Sequence, residues 1–310
     1  MNHARTCLSF ITLLNHNLKL KTMSNPTNPI QGSFFGSFYM VLASLAFALM
    51  LVFIKLSGQK FGMNTYEITF WRVSFALVLL GGFSWLKGRS FRTNYPKEHF
   101  WRSLAGSLAL LMNFYVVLHL PLATASTLQN TSAIFLGLLS IIILKQKPSL
   151  MAWLSLILGF IGVVILLKPA TGGDTFAMLI GLASGAISGY AYLQVRELSL
   201  LGEPAWRIVF YFSLLSTIIA GLLALYFGFS PATLANLPYI IGIGVTALAG
   251  QLLMTYAYQV GQKFVVATLS YMTVVFALLF GVWLFGERLD WVSLLGIGVI
   301  VASGVLSGKR

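Results

Sequence analysis

Few residues in this chain combine reactive chemistry with a position deep inside a long apolar run, and Arg72 is foremost among them. Ionisable groups at membrane depth are costly, which makes them functional candidates. Arg72 lies about two turns into the apolar run 66–86. One reading is a cationic contact for an anionic or zwitterionic solute, or for a gating carboxylate. The other is structural: pairing with Glu67, or snorkelling of the aliphatic stem toward the headgroups. Five residues of separation put Arg72 and Glu67 about 140° apart on a helix, which disfavours a direct pair. Glu67 reads either as a proton-coupling carboxylate or as a first-turn anion that complements the helix start. A second, uncharged set comprises Asn113, Gln129, Asn130, Tyr192, Gln251, Tyr256, Ser270 and Tyr271. As a group these suit a substrate-binding cavity with polar contacts and aromatic walls; singly, each can equally tie two helices together by a hydrogen bond. Lys55 reads as an interfacial anchor and His119 as a surface residue.

The elements that must position these residues follow from composition. Apolar residues make up 58% of the chain and charged residues 9%, whereas a soluble domain is normally about a quarter charged. Most of the surface must therefore face something other than water. Helix-length apolar runs of roughly 20 residues lie at 34–56, 66–86, 100–119, 122–144 and 150–167, and again at 177–193, 206–227, 237–258, 264–285 and 291–307. The expected fold is an all-α integral membrane protein with ten transmembrane helices. Residues 1–31 are more polar and read as a disordered cytoplasmic tail, with Met23 an alternative start.

The net charge of +13 does not indicate nucleic acid, because the basic residues sit in short gaps between apolar runs and form no continuous face. Placing alternate loops on one side gathers 15 of the 20 Lys and Arg residues there, Arg102, Lys145 and Lys147 included. That bias puts both termini in the cytoplasm and suits a bacterial inner membrane. Enzyme chemistry has no foothold. The four histidines are scattered, Cys7 is the lone cysteine, and no Gly-x-Ser-x-Gly or P-loop pattern occurs. No cofactor or metal is expected.

The two halves of the chain resemble each other. Leu42-Ala-Ser-Leu-Ala46 returns 140 residues later as Leu182-Ala-Ser-Gly-Ala186, and Phe70-Trp71 as Phe210-Tyr211. Tyr115, Thr127-Leu128 and Phe135 match Tyr256, Thr268-Leu269 and Phe276 at an offset of 141. A near-constant offset across several spans signals duplication. Repeats of five helices, at 34–168 and 175–308, must enter the membrane in opposite orientations, giving two inverted five-helix repeats. Inverted repeats are common in secondary transporters, where binding sites form at the repeat interface. Arg72 breaks the symmetry, since its counterpart is Phe212. Gly181, Gly185 and Gly189 form a smooth ridge suited to close helix packing.

Several segments carry a resemblance to a known family. They are Glu67-Ile-Thr-Phe-Trp-Arg72, Tyr115 with Pro121-Leu-Ala-Thr-Ala-Ser-Thr-Leu128, and Ala267-Thr-Leu-Ser-Tyr271 followed by Phe285-Gly-Glu287, Gly296 and Gly304. In these the chain resembles the EamA family of the drug/metabolite transporter superfamily. In the first half Lys145-Gln146-Lys147 stands where a Gly-Glu pair is usual. The resemblance implies a permease that moves a small-molecule solute (an amino acid, metabolite or drug) across the lipid bilayer through a central cavity. The inverted repeats suit alternating access, with proton coupling through Glu67 and facilitated exchange as the two energy schemes. A channel or facilitator is the alternative.

Overall fold

The computed structural model describes residues 29–143, 150–166, 174–229, 233–261, 266, 269–288 and 290–308. Most of the 1–31 tail, Lys145–Lys147, Lys168 and Lys263 fall outside these residues. The described residues form helices and connecting turns, with no strand among them. In chain order the helices are α1 (Pro29–Phe61), α2 (Thr65–Leu86), α3 (Pro96–His119), α4 (Leu122–Asn130), α5 (Ser132–Ile142) and α6 (Leu150–Leu166). They continue with α7 (Thr175–Leu200), α8 (Ala205–Phe227), α9 (Leu237–Val260), α10 (Met272–Phe285) and α11 (Trp291–Gly308). Seven stretches of described chain are long and apolar enough to cross a membrane, counting α4 and α5 together, and shorter apolar helices lie at Met272–Phe285 and Leu294–Ser303. Their outer faces expose large apolar side chains such as Val78, Leu222 and Leu225. Trp85, Tyr226, Trp283 and Trp291 stand exposed near helix ends, the depth at which aromatic belts meet headgroups.

Local chemistry sets where several helices begin and stop. The Asn64 side chain accepts the Glu67 N–H at the start of α2, and Asp174 accepts the Ala177 N–H at the start of α7. Each satisfies a donor that has no partner inside its helix. Pro96 and Pro238 occupy first-turn positions of α3 and α9, where a missing N–H costs nothing. At the end of α10, Gly286 takes φ +60°, and the Glu287 N–H returns to the Gly281 carbonyl at 3.1 Å. This left-handed stop aims Glu287 back into the bundle.

The run at 122–144 was expected to be one helix, and the structure divides it at Thr131. The Thr131 hydroxyl donates to Leu128 C=O at 2.6 Å, and the Asn130 amide donates to Ser126 C=O at 2.8 Å. Side chains that bond local carbonyls compete with the helical ladder. A second interruption lies 140 residues on, where Ser270 and Tyr271 form a turn ahead of α10.

The tightest packing joins elements from opposite ends of the chain. Helix α1 lies on α9, α3 on α7, α2 on α8, and α6 on α11; α10 contacts both α1 and α4. The glycine ridge on α7 faces α4 and α5: Gly181 meets Leu128, Gly185 meets the Leu128 carbonyl, and Gly189 meets the backbone of Ser132 and Leu136.

Candidate functional site

A polar cavity opens where α1, α2, α3, α7, α8 and α9 meet the two helix interruptions. It encloses about 70 Å3. Of the candidates read from sequence, Arg72, Gln129, Asn130, Tyr192, Gln251 and Ser270 line it. Gln129 and Asn130 sit just before the Thr131 break and Ser132 just after it; Ser270 and Thr273 flank the second break. Interrupted helices of this sort are tolerated at membrane depth where the freed backbone lines a cavity.

Arg72 is 5% exposed. Its Nη2 lies 3.5 Å from the Gln251 amide oxygen, and its guanidinium faces the Phe114 and Phe212 rings at 5.6 and 5.9 Å. Neither Glu67 pairing nor snorkelling describes this position. Phe212, the residue matched to Arg72 by the sequence offset, is thus its direct neighbour.

The structure adds Arg102, which by sequence counts among the loop charges. Helix α3 starts at Pro96, ahead of the expected 100, so Arg102 sits nearly two turns inside it. It is 2% exposed, lines the same cavity, and lies 4.1 Å from the Phe212 ring centre. The signal was available: an arginine at the edge of an apolar run and followed by sixteen or so uncharged residues belongs to the run as readily as to the loop. Tyr258 also lines the cavity, stacked on Tyr192 at 5.9 Å.

The other candidates lie elsewhere. Tyr256 is 44% exposed and packs edge-on against Tyr39 at 5.0 Å, away from the cavity. Tyr271 is buried in the apolar core. Asn113 is buried but is not part of the cavity wall. Glu67 is buried in the first turn of α2, where a carboxylate suits the positive end of the helix. Among the described residues, no carboxylate lines the cavity.

Two polar clusters lie outside the cavity. In one, Lys55 is no lipid-facing anchor: its ammonium donates to Glu287 and, at 3.2 Å, to Leu120 C=O. Glu287 also accepts the Leu122 N–H at 3.0 Å, the first free donor of α4. Residues 232 positions apart thereby join α1, the α3–α4 corner and the turn after α10. Removing one partner leaves the other charge buried, so Lys55→Met and Glu287→Gln should each cost about 1–3 kcal/mol. Thermal unfolding of the detergent-purified protein measures this; the double variant should lose less than the two singles combined.

In the other cluster Glu203 accepts from Thr93 Oγ1 at 2.8 Å and Arg207 Nη1 at 3.0 Å, with His99 Nε2 at 3.4 Å. The Gln259 amide donates to the Glu203 carbonyl at 3.1 Å. Burial pushes the Glu203 carboxyl up, but the hydrogen bonds from Thr93 and Arg207 and the charges of Arg207 and His99 outweigh it and hold the pKa below its ordinary value. A depressed carboxyl pKa contributes stability that is present above the unfolded value and lost as pH falls through the folded one. Glu203→Gln should therefore lower Tm at pH 7, and the gap from wild type should close as pH drops below about 4.3. A gap that stays constant to the acid limit would refute this.

Residues 34–168 and 175–308 each match the EamA-like transporter family. An uncharacterized transporter of Helicobacter pylori is 30% identical, over 88% of this chain and 94% of that protein. A pseudopaline exporter of Pseudomonas aeruginosa is 28% identical over 89% of this chain and 96% of that protein. A riboflavin transporter of Rhizobium johnstonii is 29% identical over 72% of this chain and 74% of its own length. A solved crystal structure superposes with a TM-score of 0.66 at 16% identity, covering 91% of this chain and 97% of that chain; at that identity the likeness is one of fold.

Proposed function

The chain belongs to the EamA-like transporter family and is an integral, multi-pass membrane protein, and from that premise we propose that it is a secondary carrier for a small organic solute. It works by alternating access between two inverted five-helix repeats, residues 34–168 and 175–308, with ten spans in all. Both termini lie in the cytoplasm, on the side that holds most of the basic loop residues, and the membrane is a bacterial inner membrane. Relatives of the chain are named a pseudopaline exporter and a riboflavin transporter, which fits an organic solute.

The observation that carries this reading is the Arg72 cavity, walled by helices from both halves. Two features support the inverted repeat. Arg72 touches Phe212, its own counterpart, and residues related by a two-fold axis meet only near that axis. The packing also exchanges consistently: α1 on α9 in one pairing corresponds to α7 on α3 in the other. The cavity of about 70 Å3 is well short of the roughly 300–1,000 Å3 usual for ligand pockets. A solute of ordinary ligand size needs more room than this conformation gives, which suits a carrier that changes shape better than an open channel.

The test begins with a thermal-shift screen of the purified protein against a metabolite library, since ligand binding to the folded state raises Tm. Hits are then taken to counterflow in proteoliposomes. Saturable, trans-stimulated uptake is expected. Non-saturating flux at channel rates would replace the carrier with a channel.

A further inference from the structure

We propose that the cavity binds a small organic dicarboxylate, one carboxylate on Arg72 and the other on Arg102. This rests on the carrier reading above and names its substrate class. Both guanidinium groups line one cavity, and both are more than nine-tenths buried. Among the described residues, neither has a carboxylate within ion-pair distance. Glu287 is engaged by Lys55, and Glu203 by Arg207 and His99. The Nε of Arg72 and the Nε and Nη1 of Arg102 are buried and donate to no protein acceptor. Among the described residues they meet the Gln251 amide oxygen, aromatic ring faces and, within electrostatic reach, Tyr192 of the same wall, none of which carries a counter-charge as a carboxylate would.

Two buried cations with no carboxylate beside them among the described residues are costly to the fold, and an anionic solute would offset that cost. One carboxylate would serve one guanidinium and leave the other bare. The two groups reach the Phe212 ring from separate helices, α2 and α3, so each can hold one end of a linear dianion. A guanidinium fork takes a carboxylate bidentately, and each arginine has free donors for that. Asn130, Ser132, Ser188 and Thr273 line the wall between helices and can bond hydroxyl or amide groups on the linking chain.

The experiment uses the full chain in lipid nanodiscs, with thermal shift and calorimetry against linear dicarboxylates from succinate to suberate. Their half-amides, their diamides and glycerol 3-phosphate serve as comparisons. At least one dicarboxylate should bind saturably, its half-amide about tenfold or more weaker, and its diamide weaker again. Arg102→Gln should bind the dicarboxylate and its half-amide equally; Arg102→Lys, which keeps the charge, should retain part of the preference. A diamide or glycerol 3-phosphate that binds as tightly overturns the proposal, as does silence from every dicarboxylate. Counterflow on the same preparations separates the two readings. Transport of neutral solutes with dicarboxylates silent sinks the dicarboxylate and leaves the carrier; dicarboxylate binding without counterflow sinks the carrier alone.

Discussion

Replacing Arg72 by Gln should cut counterflow about 100-fold while the protein remains at its normal level in the membrane and its Tm stays constant or rises. The two halves of that result come from one fact. Arg72 is buried, its polar contact is a long bond to Gln251, and no carboxylate pairs with it among the described residues. A buried charge without a partner costs the fold several kcal/mol, so removing it relieves the solute-free protein. The same charge, with its forked donors, is worth about 1.5–3 kcal/mol to a charged ligand, and more when the site is closed to water. Arg72→Lys should fall between wild type and Arg72→Gln, about tenfold down, because an ammonium keeps the charge and loses the planar fork. If Arg72 were a structural group, Arg72→Gln would lower Tm and membrane level together. Unimpaired transport would remove it from the site altogether.

Gly185→Leu should act on the fold itself. A Cβ on Gly185 would stand 2.8 Å from the Leu128 carbonyl oxygen and 3.4 Å from the Ser132 amide nitrogen. These are backbone atoms on either side of the Thr131 break, and they cannot rotate away as a flexible side chain would. Overpacking a close-packed contact costs typically 1–3 kcal/mol and more when backbone must move. In a membrane bundle, where close approach of small residues is itself the main source of helix association, the expected result is loss of most folded protein. Fluorescence-detected size exclusion of the detergent extract reads this directly. Gly82→Leu is the control: a Cβ there meets nothing within 4 Å, so it should behave as wild type. Equal yields from both variants would show that the ridge is not what holds α7 to α4 and α5.

Both predictions concern residues that stood out in the sequence, and for the same reason. An arginine within a membrane-length apolar run, and glycines at four-residue spacing on a helix, are costly or restrictive enough that their positions carry information without any structure. The helices are legible on the same grounds, since apolar runs of that length leave the backbone no other way to satisfy its hydrogen bonds in lipid. The Phe212 counterpart of Arg72 was also readable, from the repeat offset alone.

What the sequence left undetermined was which way each helix faces. In a soluble helix the polar stripe points outward and fixes the rotation. Here lipid and core are both apolar, so nothing in the pattern distinguishes Tyr256, which faces outward against Tyr39, from Tyr258, which lines the cavity two residues later. Arg102 was hidden by its neighbours: with Lys97 close by it reads as loop charge, and only the packing of α3 against α8 brings it onto Phe212. The Lys55–Glu287 pair joins positions too distant in the chain for any local signal to relate them. Apolar length and costly residues therefore specify the helices and one arginine, whereas the meeting of that arginine with a second at Phe212, and the polar cavity that both line, exist only once the bundle has set its rotations.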